Sequence, residues 1–134
     1  MSFKPVIILA ETLPLGLKAN FAAVLGMSLG QLRPDLVGAT TPTADGMEIA
    51  GITTVALPIL AAPIDELPAL YAAAEALPIR LTYLEAASFK ARDYADYGAR
   101  VAAAPLADHA PQAILLGGPR KAVDRLCGRL PLLR

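Results

Sequence analysis

The sequence predicts an α/β domain with three layers, α/β/α, around a small mixed sheet of about four main strands. Short apolar runs at residues 5–10 and 112–116, the first rich in β-branched side chains, are typical of strands covered on both faces. Between them lie segments in which apolar residues recur at helical spacing, and prolines end several of these segments. Strands that alternate with helices favour helices packed on both faces of one sheet.

Four main strands and four helices are predicted, and two further features refine this order. Pro58 predicts an edge position or a bulge for its strand, because proline has no N–H to donate to a β-ladder. Asp45-Gly46 lies between two short apolar runs and indicates a hairpin. The predicted strands are residues 5–10, 55–61, 79–85 and 112–116, and the predicted helices are residues 17–32, 63–77, 86–104 and 119–127.

Length and composition restrict the class of protein. At 134 residues the chain is expected to form one domain, residues 1–134. The hydrophobic fraction is 55%, but no apolar run approaches the roughly 18 residues of a membrane span, so no membrane partner is expected. The N-terminus lacks the cleavage site of a signal peptide, which predicts a cytoplasmic protein. With one cysteine, Cys127, and one histidine, His109, no disulfide, zinc site or cofactor is expected.

Charge is balanced over the chain but uneven along it. Twelve Lys and Arg residues match twelve Asp and Glu residues. A neutral chain lacks the long-range attraction behind most non-specific nucleic-acid binding, so nucleic acid is expected to make local contacts only, if any. Five cations and one anion, Asp124, lie between Arg120 and the C-terminus. This end either forms a solvated basic face or holds a ligand.

The start of the last predicted helix combines glycines, a proline and two cations. Pro119 is predicted to be the first helical residue and Gly118 its cap. Arg120 and Lys121 then fall in the first turn, beside the positive end of the helix dipole and its unpaired N–H groups, where added cations are unfavourable unless an anion binds. We therefore predict that Gly118, Arg120 and Lys121 bind a small anionic ligand.

Both ends of the chain resemble a known family. The similarity is carried by Lys4-Pro-Val-Ile-Ile-Leu, Leu13-Pro-Leu-Gly, Ala19-Asn-Phe-Ala-Ala and Gly117-Gly-Pro-Arg-Lys-Ala-Val-Asp-Arg-Leu-Cys. These segments look like the uncharacterised bacterial family known as domain of unknown function 2000, and the similarity covers essentially the whole chain. The same layout is similar, more distantly, to the type 2 peptidyl-tRNA hydrolases of archaea and eukaryotes. This resemblance implies the hydrolase fold more strongly than the hydrolase activity.

The resemblance to the hydrolases implies three catalytic candidates, Lys18, Asn20 and Glu85. These enzymes have an essential lysine shortly before an Ala-Ala pair; here Asn20 stands at that position and Lys18 two residues earlier, and either can take its place. Their Asp-Ala-Gly after a strand corresponds to Glu85-Ala-Ala. A carboxylate beside a water can act as a general base, while an ammonium or an amide N–H stabilises the oxyanion of a cleaved ester. Each candidate also has a plain interpretation as a surface polar side chain.

Three interpretations stay open at this point. The favoured one is a small anion- or phosphate-binding domain, and the second is a hydrolase of an ester-linked, RNA-related substrate. The third is a structural protein that forms a homodimer, which the apolar composition makes plausible. The neutral total charge and the altered hydrolase positions favour the first. Residues 18, 20 and 118–121, from opposite ends of the chain, are expected to meet in one pocket.

Overall fold

A computed structural model describes residues 2–83 and 92–134 of the chain. The described part of the chain contains six strands and five α-helices. The strands are β1 (Phe3–Ala10), β2 (Thr41–Pro42), β3 (Glu48–Ile49), β4 (Ile59–Ala62), β5 (Ile79–Tyr83) and β6 (Ala113–Pro119). The α-helices are α1 (Leu15–Leu32), α2 (Leu67–Ala73), α3 (Tyr94–Ala102), α4 (Leu106–His109) and α5 (Arg120–Cys127).

The main sheet has four strands in the order β4-β1-β6-β5. β1 is parallel to β4 and antiparallel to β6, and β5 is antiparallel to β6, so the sheet is mixed, as predicted. β6 runs from Ala113, opposite Leu9, to Pro119, opposite Phe3. β1, β4 and β5 therefore share one direction, and their carboxyl ends lie at the same edge of the sheet.

Helices cover both faces of this sheet, which confirms the three-layer prediction. The connection from β1 to β4 and the connection from β4 to β5 move across the sheet in opposite directions, so right-handed crossovers put α1 and α2 on opposite faces. α5 packs on α2 and on β6. α1 buries Phe21, Leu25 and Leu29 at i, i+4 and i+8, and α5 buries Val123 and Cys127. None of the described helices has the length and apolar character that a membrane crossing requires.

β4 is an edge strand of the main sheet, as Pro58 predicted, but it begins one residue after that proline rather than at residue 55. The Pro58 carbonyl still accepts a hydrogen bond from the N–H of Ile7, at 3.0 Å. The C-terminal residues cover the outer side of β4: the N–H of Ala61 donates to the Pro131 carbonyl, and the N–H of Leu133 donates to the Ile59 carbonyl, both at 2.9 Å. The edge is thereby closed to further pairing at this point.

A long hairpin joins α1 to β4, and its turn contains Asp45-Gly46, as predicted. Gly46 has a φ of 87°, a conformation that favours glycine. The two sides of the hairpin keep a single register from the turn to its base, where Val37 lies opposite Thr53. Backbone hydrogen bonds join them along this length. We call residues 39–50 the arm; all twelve are exposed. The side chains of the arm therefore take no part in the hydrophobic core of their own chain.

The end of β6 is crowded, and two glycines make its packing possible. A Cβ on Gly117 would lie 2.6 Å from the ring of Phe3, and a Cβ on Gly118 would lie 2.9 Å from Cδ of Pro78 and 3.0 Å from Cδ2 of Leu77. Such distances are too short for unbonded carbon atoms. The proline ring cannot move away without its backbone, so Gly118 leaves the least freedom for adjustment.

Gly118→Ala is expected to lower the free energy of unfolding by about 1–3 kcal/mol, because the added methyl overpacks the contact with Leu77 and Pro78. Gly98→Ala is the matched control: Gly98 lies in α3 with no atom within 4 Å of the added Cβ. This control should raise the free energy of unfolding by about 0.5–1 kcal/mol through helix propensity. Urea unfolding of both variants measures the difference, and equal stability of the two would contradict the packing argument.

Candidate functional site

The first turn of α5 begins at the end of the β1–β6 pairing. Pairing continues through Lys4 opposite Gly118 and Phe3 opposite Pro119, so β6 extends beyond the predicted end at residue 116. Pro119 is consequently the N-cap of α5, with φ −57° and ψ 135°, rather than its first helical residue, and Gly118 is a strand residue rather than the cap. Arg120 and Lys121 are the first two residues of the helix, so their predicted position in its first turn is confirmed.

Two cations lie in the first turn of α5, and this turn contains no carboxylate. The structure records no acidic residue in the first turn of α5 and no capping side chain from the described residues. The N–H of Arg120 donates to the Ser2 carbonyl at 3.1 Å, and its Nε donates to Ser2 Oγ at 3.3 Å. The N–H groups of Lys121 and Ala122 follow in the first turn, where helical amides have no intrahelical acceptor. The Lys121 side chain is exposed.

Asp124 is the acidic residue nearest to this turn in sequence, and its carboxylate already forms an ion pair with another side chain. Lys4 Nζ, from β1, lies 2.5 Å from Asp124 Oδ1. This ion pair joins β1 to α5 and uses the carboxylate one turn beyond the cations. Arg120 and Lys121 are both exposed, and the Lys121 and Ala122 amides lie beside them in the first turn of the helix. We call Arg120, Lys121 and the Ala122 amide the α5 corner.

Gly118 lies below the surface of this corner. It is buried, and the Leu77 and Pro78 side chains cover its α-carbon. Its position in the packed strand explains why glycine is needed there. The local sequence pattern suggested a cap because a Gly-Pro pair before a helix is typical of one.

Lys18 and Asn20 lie at the opposite end of the sheet, so the structure does not bring them together with residues 118–121. α1 starts after the carboxyl end of β1, whereas α5 starts beside the amino end of β1. Seven paired residues separate these ends, roughly 20 Å at about 3.4 Å per residue. It is the other end of α1 that approaches α5's end of the sheet: the Arg33 guanidinium lies 4.2 Å from the centre of the Phe3 ring. The prediction that residues 18, 20 and 118–121 meet in one pocket is therefore wrong.

The α1 start has its own simple geometry. Pro14 is the N-cap, no side chain caps the helix from the described residues, and its first turn has no acidic residue. The N–H of Lys18 donates to the Pro14 carbonyl at 3.0 Å; the Lys18 side chain is half-buried and Asn20 is exposed. The described part of β5 ends at Tyr83, at the same edge of the sheet as the α1 start. Glu85 lies outside the described residues.

Comparison with known proteins identifies the family. The family model described as protein of unknown function (DUF2000) matches residues 3–134. The chain belongs to the DUF2000 family. The solved structure of a protein of unknown function, Atu0240 from Agrobacterium tumefaciens str. C58, is similar to it with a TM-score of 0.89 and 16% sequence identity, over 100% of this chain and 99% of that one. At this identity the likeness shows a shared fold. No curated protein matches the sequence.

The histidine and the cysteine of this DUF2000 protein are buried, and both contact backbone carbonyl groups. His109 is buried at the end of α4, and its Nε2 lies 3.0 Å from the Val101 carbonyl and 3.2 Å from the Ala104 carbonyl, so it joins α4 to α3. Burial raises the pKa of the Cys127 thiol, which donates to the Val123 carbonyl at 3.2 Å. Both side chains serve packing. In the described ranges no three His, Cys, Asp or Glu side chains converge as metal ligands do.

The structure has a groove between α2 and α5 that the sequence did not predict. It has a volume of about 350 Å³, and its walls carry acids from the 3₁₀ turn before α2 and cations from α5 and the residues after it. Arg129 Nη2 lies 3.2 Å from Glu66 Oε2 across the groove. The acidic start of α2 and the basic C-terminus are both visible in the sequence, but their pairing depends on tertiary contact. The groove is lined by Asp65, Glu66, Ala69, Leu70, Ala73, Arg125, Leu126 and Arg129.

Lys121→Glu is expected to stabilise the ligand-free protein by about 1 kcal/mol at low ionic strength, because it replaces a cation with an anion at the positive end of the α5 dipole. Arg125→Glu, in the last turn of the same helix, makes the same charge change at the negative end and should destabilise the protein by a similar amount. Thermal unfolding at low and high salt measures both effects, which should shrink with added salt. Loss of stability in Lys121→Glu would mean that Lys121 makes a structural contact.

Proposed function

We propose that this DUF2000 protein binds a small anion, such as a phosphate or carboxylate group, at the α5 corner. The observation that carries the proposal is the first turn of α5, which has two cations and, among the described residues, no capping side chain and no carboxylate of its own. Anions bind at such helix ends because the amide N–H groups point at the ligand and the dipole favours negative charge. Arg120 supplies a planar set of donors and Lys121 a mobile point charge.

The electrostatics of the corner support the proposal further. The two cations oppose the dipole in the free protein, and an anion relieves this repulsion when it binds. Asp124, the nearest acid in sequence, is paired with Lys4 and does not neutralise them. The Arg120 side chain is held at Ser2 Oγ, which orders its guanidinium and leaves its other N–H groups for a ligand. Gly118, buried below, shapes the strand end that delivers these groups.

Inorganic phosphate is expected to raise the melting temperature of the protein above that in chloride at equal ionic strength. Ligand that binds the folded state alone stabilises it by RT ln(1 + [L]/Kd), about 2.7 kcal/mol at 100 times Kd. Lys121→Gln should reduce this stabilisation strongly, whereas Arg125→Gln, an equal charge change farther along α5, should leave it intact. Equal phosphate effects in both variants would indicate general salt stabilisation and contradict the proposal. Differential scanning fluorimetry over a phosphate series provides the measurement.

The second candidate is the hydrolysis of an ester-linked, RNA-related substrate, as the resemblance to peptidyl-tRNA hydrolases implies. One observation favours it: the half-buried Lys18 and the start of α1, which no side chain of the described residues caps, lie at the same edge of the sheet as the carboxyl ends of β1 and β4. In α/β sheets, ligands bind beyond the carboxyl ends of strands. Lys18 or Asn20 would stabilise the oxyanion, and Glu85 would act as general base.

Release of the peptide from a peptidyl-tRNA by the purified protein tests this candidate. Glu85→Gln is expected to lower the rate by roughly 10²–10⁴-fold, the usual contribution of a general base, and Lys18→Gln should lower it as well. Glu75→Gln is the matched control for Glu85→Gln, since it makes the same change elsewhere on the chain. Turnover that survives in Glu85→Gln, or no turnover by the unaltered protein, would exclude the hydrolase and leave the anion site to be judged on phosphate binding.

A further inference from the structure

The outward side of α1 carries no charge, although it faces solvent. Its buried stripe is Phe21, Leu25 and Leu29. The opposite side exposes Leu15, Ala19, Ala23, Met27 and Gln31, spaced by four residues along the helix, and Met27 is 80% exposed. We call these five residues the outer face of α1. Solvent-exposed helix faces normally carry charged side chains, and a helix that is apolar on all sides is normally buried.

In the described part of the chain, the arm is likewise uncovered on both sides. Register puts Met47 and Ile49 on one side of the hairpin and Ile52, beyond the arm, on the other. These three side chains are 62%, 54% and 79% exposed. A two-stranded hairpin alone in water is marginally stable at best, and it needs a further surface to pack against. The described residues supply no such surface, since residues 39–50 are all exposed.

A groove lies beside both features. It has a volume of about 260 Å³ and is lined mostly by glycine and aliphatic side chains, where α1 meets the base of the hairpin. Gly26 and Gly30 on α1 leave open space, since an added Cβ would have no atom within 4 Å. A neighbouring backbone or aliphatic side chain can therefore approach α1 closely here. The lining residues are Gly26, Leu29, Gly30, Leu36, Val37, Gly51, Ile52, Thr53 and Leu57.

We propose that the outer face of α1 and the arm form the interface of a symmetric homodimer, with each arm packed on the α1 face of the other copy. A second copy fits because it brings the same two uncovered elements, and each can cover the other in a two-fold arrangement. The size is close to that of a standard interface, which uses roughly 20–30 residues a side: the twelve arm residues and the five residues of the outer face give seventeen exposed residues on each copy.

The charges of these elements agree with this pairing. The arm carries two acids, Asp45 and Glu48, and α1 carries one charged residue, Lys18. Two copies therefore meet without like charges across the centre of the interface, where charged residues are normally depleted. The α5 corner lies outside this surface, so this inference is independent of the proposed anion site.

Sedimentation velocity over a concentration series tests the homodimer. The unaltered protein is expected to sediment as a dimer that dissociates on dilution. Met27→Glu and Ile49→Glu should each raise the dissociation constant by about tenfold or more, because each buries an unpaired carboxylate. Met27→Leu and Tyr94→Glu, the latter at an 87% exposed position on α3, are the controls that should keep the dimer.

Circular dichroism separates lost association from lost folding. Met27 and Ile49 are both largely exposed in one chain, so their variants should retain the native spectrum. A further variant replaces residues 39–51 with Asn-Gly, since Gly38 and Ile52 are already hydrogen-bonded across the hairpin at 2.9 Å. It should be a folded monomer. A protein that is monomeric at every concentration, or a dimer that all three variants leave unchanged, would overturn the proposal.

Discussion

The antiparallel pairing of β1 with β6 is the constraint on which the rest of the structure depends. It joins the two ends of the chain at the centre of the sheet, from Phe3 opposite Pro119 to Leu9 opposite Ala113. Both strands are buried over most of their length, so the helices on each face pack against them. The pairing also fixes where helices begin. α1 follows the carboxyl end of β1 and α5 begins beside its amino end, which separates the two helix N-termini along the sheet.

Charge at the helix starts differs between α2 and α3 on one side and α1 and α5 on the other. Asp93 is the N-cap of α3, and its Oδ1 accepts the N–H of Asp96 at 2.8 Å. Hydrogen bonds from the Arg92 N–H and from Arg100 lower the pKa of Asp96, so this helix start keeps its negative charge well below neutral pH. Acids also precede α2. α1 and α5 instead begin after prolines, with cations and without first-turn acids. Acids therefore lie at the starts of α2 and α3, whereas the first turns of α1 and α5 carry cations and no acid.

Local sequence patterns predicted the helices and strands well. The features that they did not predict depend on contacts between residues that are distant in the sequence. The apolar runs located the strands, and Asp45-Gly46 located the hairpin, because both signals act within a few residues. Strand direction in a mixed sheet depends on distant partners, so the sequence did not separate Lys18 from the α5 corner. Pairing with β1 extended β6 to Pro119 and displaced the predicted cap. The burial of His109 similarly required the contact between α3 and α4.

The uncharged outer face of α1 follows from the same architecture. A helix that packs on a sheet through Phe21, Leu25 and Leu29 needs no further apolar side chains for that contact, so Leu15 and Met27 on its other side add nothing to the core. Exposed apolar side chains of this size cost solubility unless they are covered. The α5 corner is the reverse case, since its cations favour solvent or an anion and oppose burial. One surface therefore suits a protein partner and the other a small charged ligand, and the sheet holds them apart.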